Sequence, residues 1–291
     1  MITTNEPATY KVHPKEETYF AIKVFFSVIG YYLIFKAIQG LWVMGDVTNT
    51  HFGFIFLIYG ILIVLYLLFL FIIMVGYLKG NAIKVSPRQF PDVYNIAVNQ
   101  AAKLGMATIP DVYILQAGGV LNAFATRFVG TNYIVIYSDV LAAAYEQDIK
   151  VVEFIIGHEM GHIKRKHITK RLLLLPGALV PFLGSAYSRA CEYTCDRIGF
   201  ALCPEGARPG MLLLAAGRGL SKKINVAAYT EQIETEDGFI KWMSEKFASH
   251  PNLTKRVRAF GTLPGAQTIA TEPITLKDIT STDDHSKFLP K

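Results

Sequence analysis

Apolar residues are distributed unevenly along this chain. Positions 52 to 78 contain no charged residue, and as a helix they reach about 40 Å, beyond the ~30 Å hydrocarbon core of a bilayer. An earlier stretch, Tyr19 to Met44, is also apolar but carries Lys23 near one end and Lys36 toward the other. Lys36 is placed to snorkel to an interface, so this stretch reads as a second span, with an interfacial helix as the alternative. Past Lys79 the texture turns mixed. Gln89 to Leu104 has helical spacing and Gly105 stops it. Asp111–Leu115 and Asn132–Tyr137 are short, β-branched and aromatic, as strands are, and Leu121–Arg127 offers a third. Ser138 or Asp139 can cap a helix through about Tyr145. A long helix is then expected from about Gln147 to Thr169.

Two further stretches complete the pattern. Leu172 to Leu183 is apolar but short and holds two prolines and a glycine; it reads as a membrane-surface segment, a re-entrant one, or plain core. From about Pro264 the chain is polar and reads as a mobile tail. The expected organisation is a tail at 1–17, two transmembrane helices within 18–78, a folded domain at 79–262 and a tail at 263–291.

Charge orients the hairpin. Its closing loop, Gly45 to His51, has no Lys or Arg, whereas Lys11 and Lys15 precede the first span and Lys79, Lys84 and Arg88 follow the second. The positive-inside rule then puts both chain ends and the folded domain in the cytoplasm, with Lys36 counting mildly against. The first span starts too late for a typical signal peptide, so an uncleaved anchor in a cell or inner membrane is expected. Three cysteines, an odd number, give no disulfide framework. Cys191 and Cys195 could help hold a metal, though small buried hydrophobes are the commoner case. The net charge of +6 is spread out, without the interleaved aromatics of a nucleic-acid surface.

The chemistry concentrates at His158-Glu159-Met160-Gly161-His162. On a helix His158 and His162 share one face, one turn apart, where two imidazoles can bind one metal ion. Glu159 points in an adjacent direction, suited to activating a water rather than ligating. A catalytic zinc takes three protein ligands and keeps one position open, so one ligand remains to be found. The metzincin pattern would need Gly at 165 and His at 168, but Arg165 and Ile168 stand there. His167, five residues past His162, falls off the shared face and reads as a solvated helix-end residue. Glu192 is the better candidate, with Asp196 one turn on to accept a ring N–H from a liganding histidine. Equally, both acids could lie on a solvated face, paired with Arg189 or Arg197.

These motifs, with Leu121-Asn122-Ala123-Phe124-Ala125 and Ser249-His250-Pro251 followed by Arg256, resemble the HtpX-like zinc metallopeptidases, a family that includes the CAAX prenyl endopeptidases. The resemblance covers about residues 80 to 262. It implies an α+β fold: a mainly helical zincin-type domain with a small sheet, beside the N-terminal transmembrane hairpin. It implies Zn2+ held by His158, His162 and Glu192, Glu159 as the base, and Asp196 and Arg256 bracing the ligands. It also makes Asn122, Ala123 and Phe124 an edge strand that pairs with an extended substrate, and His250 a donor to the tetrahedral intermediate. Cys195 stands where the family commonly has Ala. The implied activity is a membrane-anchored zinc endopeptidase acting on membrane-associated proteins or peptides, by analogy in quality control. Prenyl-protein processing is the less expected branch, because those relatives resemble multi-span chambers. A non-enzymatic membrane scaffold with a structural metal site is the remaining alternative, against which the intact Glu159 argues.

Overall fold

The two apolar stretches form the two longest helices. In the computed structural model, which describes residues 8–43, 47–128 and 130–264, α1 runs Pro14–Val43 and α2 runs Val47–Asn81. Both are long and apolar enough to cross a membrane. The expected closing loop is shorter than its composition suggests, because Val47 to His51 already belongs to α2; Gly45 and Asp46 lie outside the described residues. The first half of α1 is packed on the folded domain, burying Glu16, Lys23 and Ser27. Lys23 Nζ lies 5.2 Å from the centre of the Tyr187 ring, so this charge faces protein and an aromatic face rather than lipid. Lys36 stays exposed and donates to Gln39 Oε1 at 2.9 Å.

A small mixed sheet follows, interleaved with helix α3 (Pro91–Lys103). Its strands are β1 (Ile83–Lys84), β2 (Asp111–Leu115), β3 (Ala123–Phe128) and β4 (Thr131–Tyr137), in the order β1-β2-β4-β3. β2 pairs parallel with β4 and β3 antiparallel, with Ala123 opposite Ile136, so β3 is an edge. β1 is too short to carry a periodic signal. Helix α4 (Ser138–Gln147) has Tyr137 at its N-cap position and no side-chain cap. The two expected capping residues are engaged elsewhere: Asp139 accepts the Gly119 N–H at 3.2 Å, and Ser138 donates to Gln116.

The expected helix from Gln147 to Thr169 is broken in two. Helix α5 spans Lys150–Lys164 and α6 spans His167–Leu173, separated at Lys166, whose φ of 56° lies in the left-handed region. α5 is the core of the domain: Val151, Val152, Phe154, Ile156 and Met160 are buried, each worth about 1.5–3 kcal/mol relative to exposure. Its main neighbour is α8 (Leu183–Leu202). A Cβ on Gly161 would sit 3.1 Å from Cys195 Sγ and 3.2 Å from its Cα, so the missing side chain lets the two helices close up.

Between them, the apolar segment contains the short α7 (Leu175–Ala178). The segment packs on α1: Tyr31 Oη donates to the Leu173 carbonyl at the end of α6 at 2.9 Å, and the Gly177 N–H of α7 donates to Ser27 Oγ at 3.0 Å. A Cβ on Gly177 would lie 2.4 Å from the Lys23 carbonyl oxygen. Gly177 and Leu183 are buried, but Leu172, Leu173, Leu175, Leu179 and Phe182 stay exposed, so the segment as a whole is not plain core. Four helices finish the domain: α9 (Pro204–Leu220), α10 (Val226–Thr235), α11 (Phe239–Phe247) and α12 (Leu253–Phe260). The expected tail beyond Pro264 and most of the one before α1 lie outside the described residues.

Candidate metal centre

Helices α5 and α8 bring three ligand-bearing side chains to one point. His158 Nε2 and His162 Nε2 each lie 3.4 Å from Glu192, the first from Oε2 and the second from Oε1. All three donor atoms fall within 4.8 Å of one another. Two imidazole nitrogens and a carboxylate oxygen form one of the donor sets of catalytic zinc, with room for a fourth, exchangeable position. These residues fit the metal on chemistry and convergence alike.

Both imidazoles turn their Nε2 atoms to Glu192, which leaves each Nδ1 facing outward to a supporting group. His158 Nδ1 lies 2.9 Å from Asp196 Oδ1. Asp196 is in turn gripped by Arg256, whose Nε and Nη2 donate to Oδ2 and Oδ1 at 2.8 and 2.6 Å. Glu192, Asp196 and Arg256 are all buried. Burial raises a carboxyl pKa, but Arg256 more than offsets this at Asp196, and the imidazoles at 158 and 250 hold Glu192 well below the usual range. Burial pushes His162 down to about 3 against the pull of Glu192, which keeps its ring neutral. His158 goes the other way: Asp196 and Glu192 outweigh its burial and push it up to about 10, so a metal ion would displace a proton from it on binding.

The support for His162 is one the sequence does not advertise. His162 Nδ1 lies 3.2 Å from His167 Nδ1, and His167 Nε2 lies 3.2 Å from Glu16 Oε1. A carboxylate only accepts, so with His167 neutral its Nε2 carries the hydrogen and its Nδ1 accepts from His162. That order leaves the lone pair of His162 on Nε2, toward Glu192. Arg165 holds Glu16 from the other side, at 3.1 and 2.9 Å. His167 is therefore buried, not solvated as its position on an unbroken helix suggests. The left-handed turn at Lys166 swings it back to the site, and its partner comes from the first turn of α1.

Glu159 sits on α5 between the two histidines in sequence, and it is buried. Burial, with Glu192 adding to it, pushes its carboxyl up to about 7. A carboxyl that titrates near neutrality can take and return a proton. His250 comes to the same place from the loop before α12, its Nδ1 3.1 Å from Glu192 Oε2, with 65% of the side chain exposed. Asn122 accepts from the Ala123 N–H at 2.9 Å and takes the Tyr137 N–H on its carbonyl. Phe124 packs edge-on against Tyr137. The solvated alternative for Glu192 and Asp196 is excluded, since Arg189 donates to carbonyls at the end of α11 and Arg197 to those of Lys11 and Val12.

Two other clusters lie nearby: His162, His167 and Cys195, and Glu16, His167 and Cys191. Burial pushes the Cys191 thiol up to about 12 and Cys195 well above its usual value. Both then stay protonated at neutral pH, as small buried hydrophobes do.

Against known proteins, the model of peptidase family M48 matches residues 87–180 and 177–263, a range that contains every residue of this centre except Glu16. Among solved structures, the crystal structure of S. mikatae Ste24p is similar, at 13% identity and a TM-score of 0.44, over 87% of this chain and 68% of that one.

Proposed function

The chain belongs to peptidase family M48, whose members are zinc metallopeptidases, and from that premise we propose that it is a membrane-anchored endopeptidase with its zinc on His158, His162 and Glu192. When bound there, zinc would supply Lewis acidity for a water and for the scissile carbonyl. Glu159 takes the proton of the attacking water on its carboxylate and passes it to the leaving amine. Asp196, held by Arg256, fixes the ring of His158, and His167 with Glu16 fixes that of His162. His250 donates to the oxyanion from the open side of the site. An extended substrate lies along the free edge of β3, against Asn122, Ala123 and Phe124.

The observation that carries this reading is the carboxylate of Glu192 on α8, 3.4 Å from the Nε2 atoms of His158 and His162, with a base at Glu159 on the helix of the two histidines. A structural metal site has no use for that base. Detergent-solubilised chain should cleave casein in a chelator-sensitive manner. The Glu159→Gln variant should keep its zinc and lose cleavage by at least about 100-fold. Substantial activity in that variant removes Glu159 as the base, and chelator-resistant cleavage removes the metal.

The hairpin holds this site beside the bilayer, which suits membrane-associated proteins and peptides as substrates and a quality-control role. Proteins co-purifying with Glu159→Gln but not with wild type test that role, and a trapped set without membrane proteins contradicts it. The domain faces the cytoplasm in this reading. A cysteine placed at Thr48 should label from outside the cell, and labelling only from the cytoplasm reverses the orientation.

A further inference from the structure

Helix α11 exposes the side chains that a buried helix would hide. Phe239, Ile240, Trp242, Met243 and Phe247 are all exposed, and none of its nine residues is buried. The helix is fixed by its polar end. Arg189 donates to the carbonyls of Glu245, Lys246 and Ala248 at 2.6, 3.1 and 2.7 Å, and Ser185 Oγ to that of Phe247 at 3.2 Å. Five large apolar side chains on nine residues make the kind of patch that marks an interaction site.

The patch does not stand alone. Phe247 packs against Phe182, ring centres 5.1 Å apart. Phe182 continues a run of exposed apolar side chains, Leu172, Leu173, Leu175 and Leu179, the last 84% exposed. This run is bound to α1 at Ser27 and Tyr31. Crossing ~30 Å of hydrocarbon takes about 20 helical residues, and counting back from the end of α1 at Val43 places the near boundary close to Val24. Tyr31 then lies about 10 Å below that boundary, and Leu173 is hydrogen-bonded to it. The band from Leu172 to Phe182 therefore continues the lipid-facing surface of the hairpin, and α11 extends it.

We propose that α11 and the Leu172–Phe182 segment together form a membrane-embedded collar, whose partner is the acyl-chain region of the leaflet on the side of the folded domain. The collar's composition suits that level. Trp242 is an amphipathic ring of the kind that seats at a headgroup boundary, and Lys246 Nζ lies 5.3 Å over it. The consequence for the site is positional. α11 ends three residues before His250, and α8, to which it is anchored, carries Glu192. Seating α11 in the leaflet holds the open side of the metal centre at the membrane surface. The inference rests on the hairpin spanning a membrane and is independent of the peptidase chemistry.

The chain has two tryptophans, at 42 and 242, so the Trp42→Phe variant reports on α11 alone. It is reconstituted as one full-length chain per nanodisc, with co-elution from the sizing column confirming that the hairpin has inserted. Lipids brominated near the headgroup end of the acyl chain should remove at least about half of the Trp242 emission, which should itself be blue-shifted. An inserted chain whose emission is solvent-like and unaffected by bromine overturns the collar while leaving the hairpin intact. Shielding of Trp242 only when two chains share a disc overturns it as well, by making the face a contact between copies.

Discussion

Replacing Arg256 with Met isolates the electrostatic support of the metal centre. Arg256 is 5% exposed, forms a two-pronged pair with Asp196 and brings Nη2 to 3.6 Å from Glu192 Oε2. Met fills a similar volume but leaves two buried carboxylates without their one guanidinium. Breaking a buried pair from one side costs about 3–5 kcal/mol. For a domain of this size that lowers the unfolding midpoint by about 10 °C, at 2–4 °C per kcal/mol. Thermal unfolding of the full chain in detergent, with a chelator present so that metal binding adds nothing, reads it directly. The cost comes from the orphaned charge, so adding Asp196→Asn to Arg256→Met should recover part of the loss. A midpoint shift worth less than about 1 kcal/mol, or two losses that simply add, refutes the reasoning.

Two further outcomes follow from the same geometry. Glu16→Gln keeps the shape of the His162–His167–Glu16 chain but weakens its last acceptor, so zinc affinity measured by chelator competition should fall about 10- to 100-fold; unchanged affinity makes the contact merely structural. Burial, with Arg197 adding to it, pushes His13 down to about 4, so the unfolded chain takes up a proton near pH 6.5 that the folded chain refuses. That contribution is full above about pH 6.5 and is lost as pH falls toward about 4. His13→Phe keeps the ring stacked on Tyr193, 5.1 Å away, and should flatten the acid limb of the chelated protein's unfolding midpoint; parallel curves for the two proteins contradict this.

The legible parts of the centre are those set by local periodicity. His158 and His162 share a face because α5 is a regular helix, and Glu192 and Asp196 because α8 is another. The hairpin, β2, β4 and α3 are legible for the same reason, since each carries its own hydrophobic rhythm. What periodicity misses depends on a break or on distance. Lys166 adopts a left-handed conformation without a glycine to announce it, and that one residue turns His167 from a solvated end into a buried neighbour of His162. The polar run Lys164-Arg165-Lys166 is the only local hint. Glu16 lies 151 residues from His167, in a segment whose composition reads as a tail, and no spacing rule joins the two. Lys23 counts against a membrane span until the ring of Tyr187 is seen beneath it.

The coordination shell of zinc in the full-length protein, measured by X-ray absorption at the zinc edge, is the most direct test. A centre built from His158, His162 and Glu192 gives one zinc per chain with only nitrogen and oxygen neighbours, at about 2.0–2.2 Å, and imidazole back-scattering from two rings. A sulfur neighbour at about 2.3 Å would place the ion in one of the two cysteine-bearing clusters, with Cys195 or with Cys191, and contradict the account.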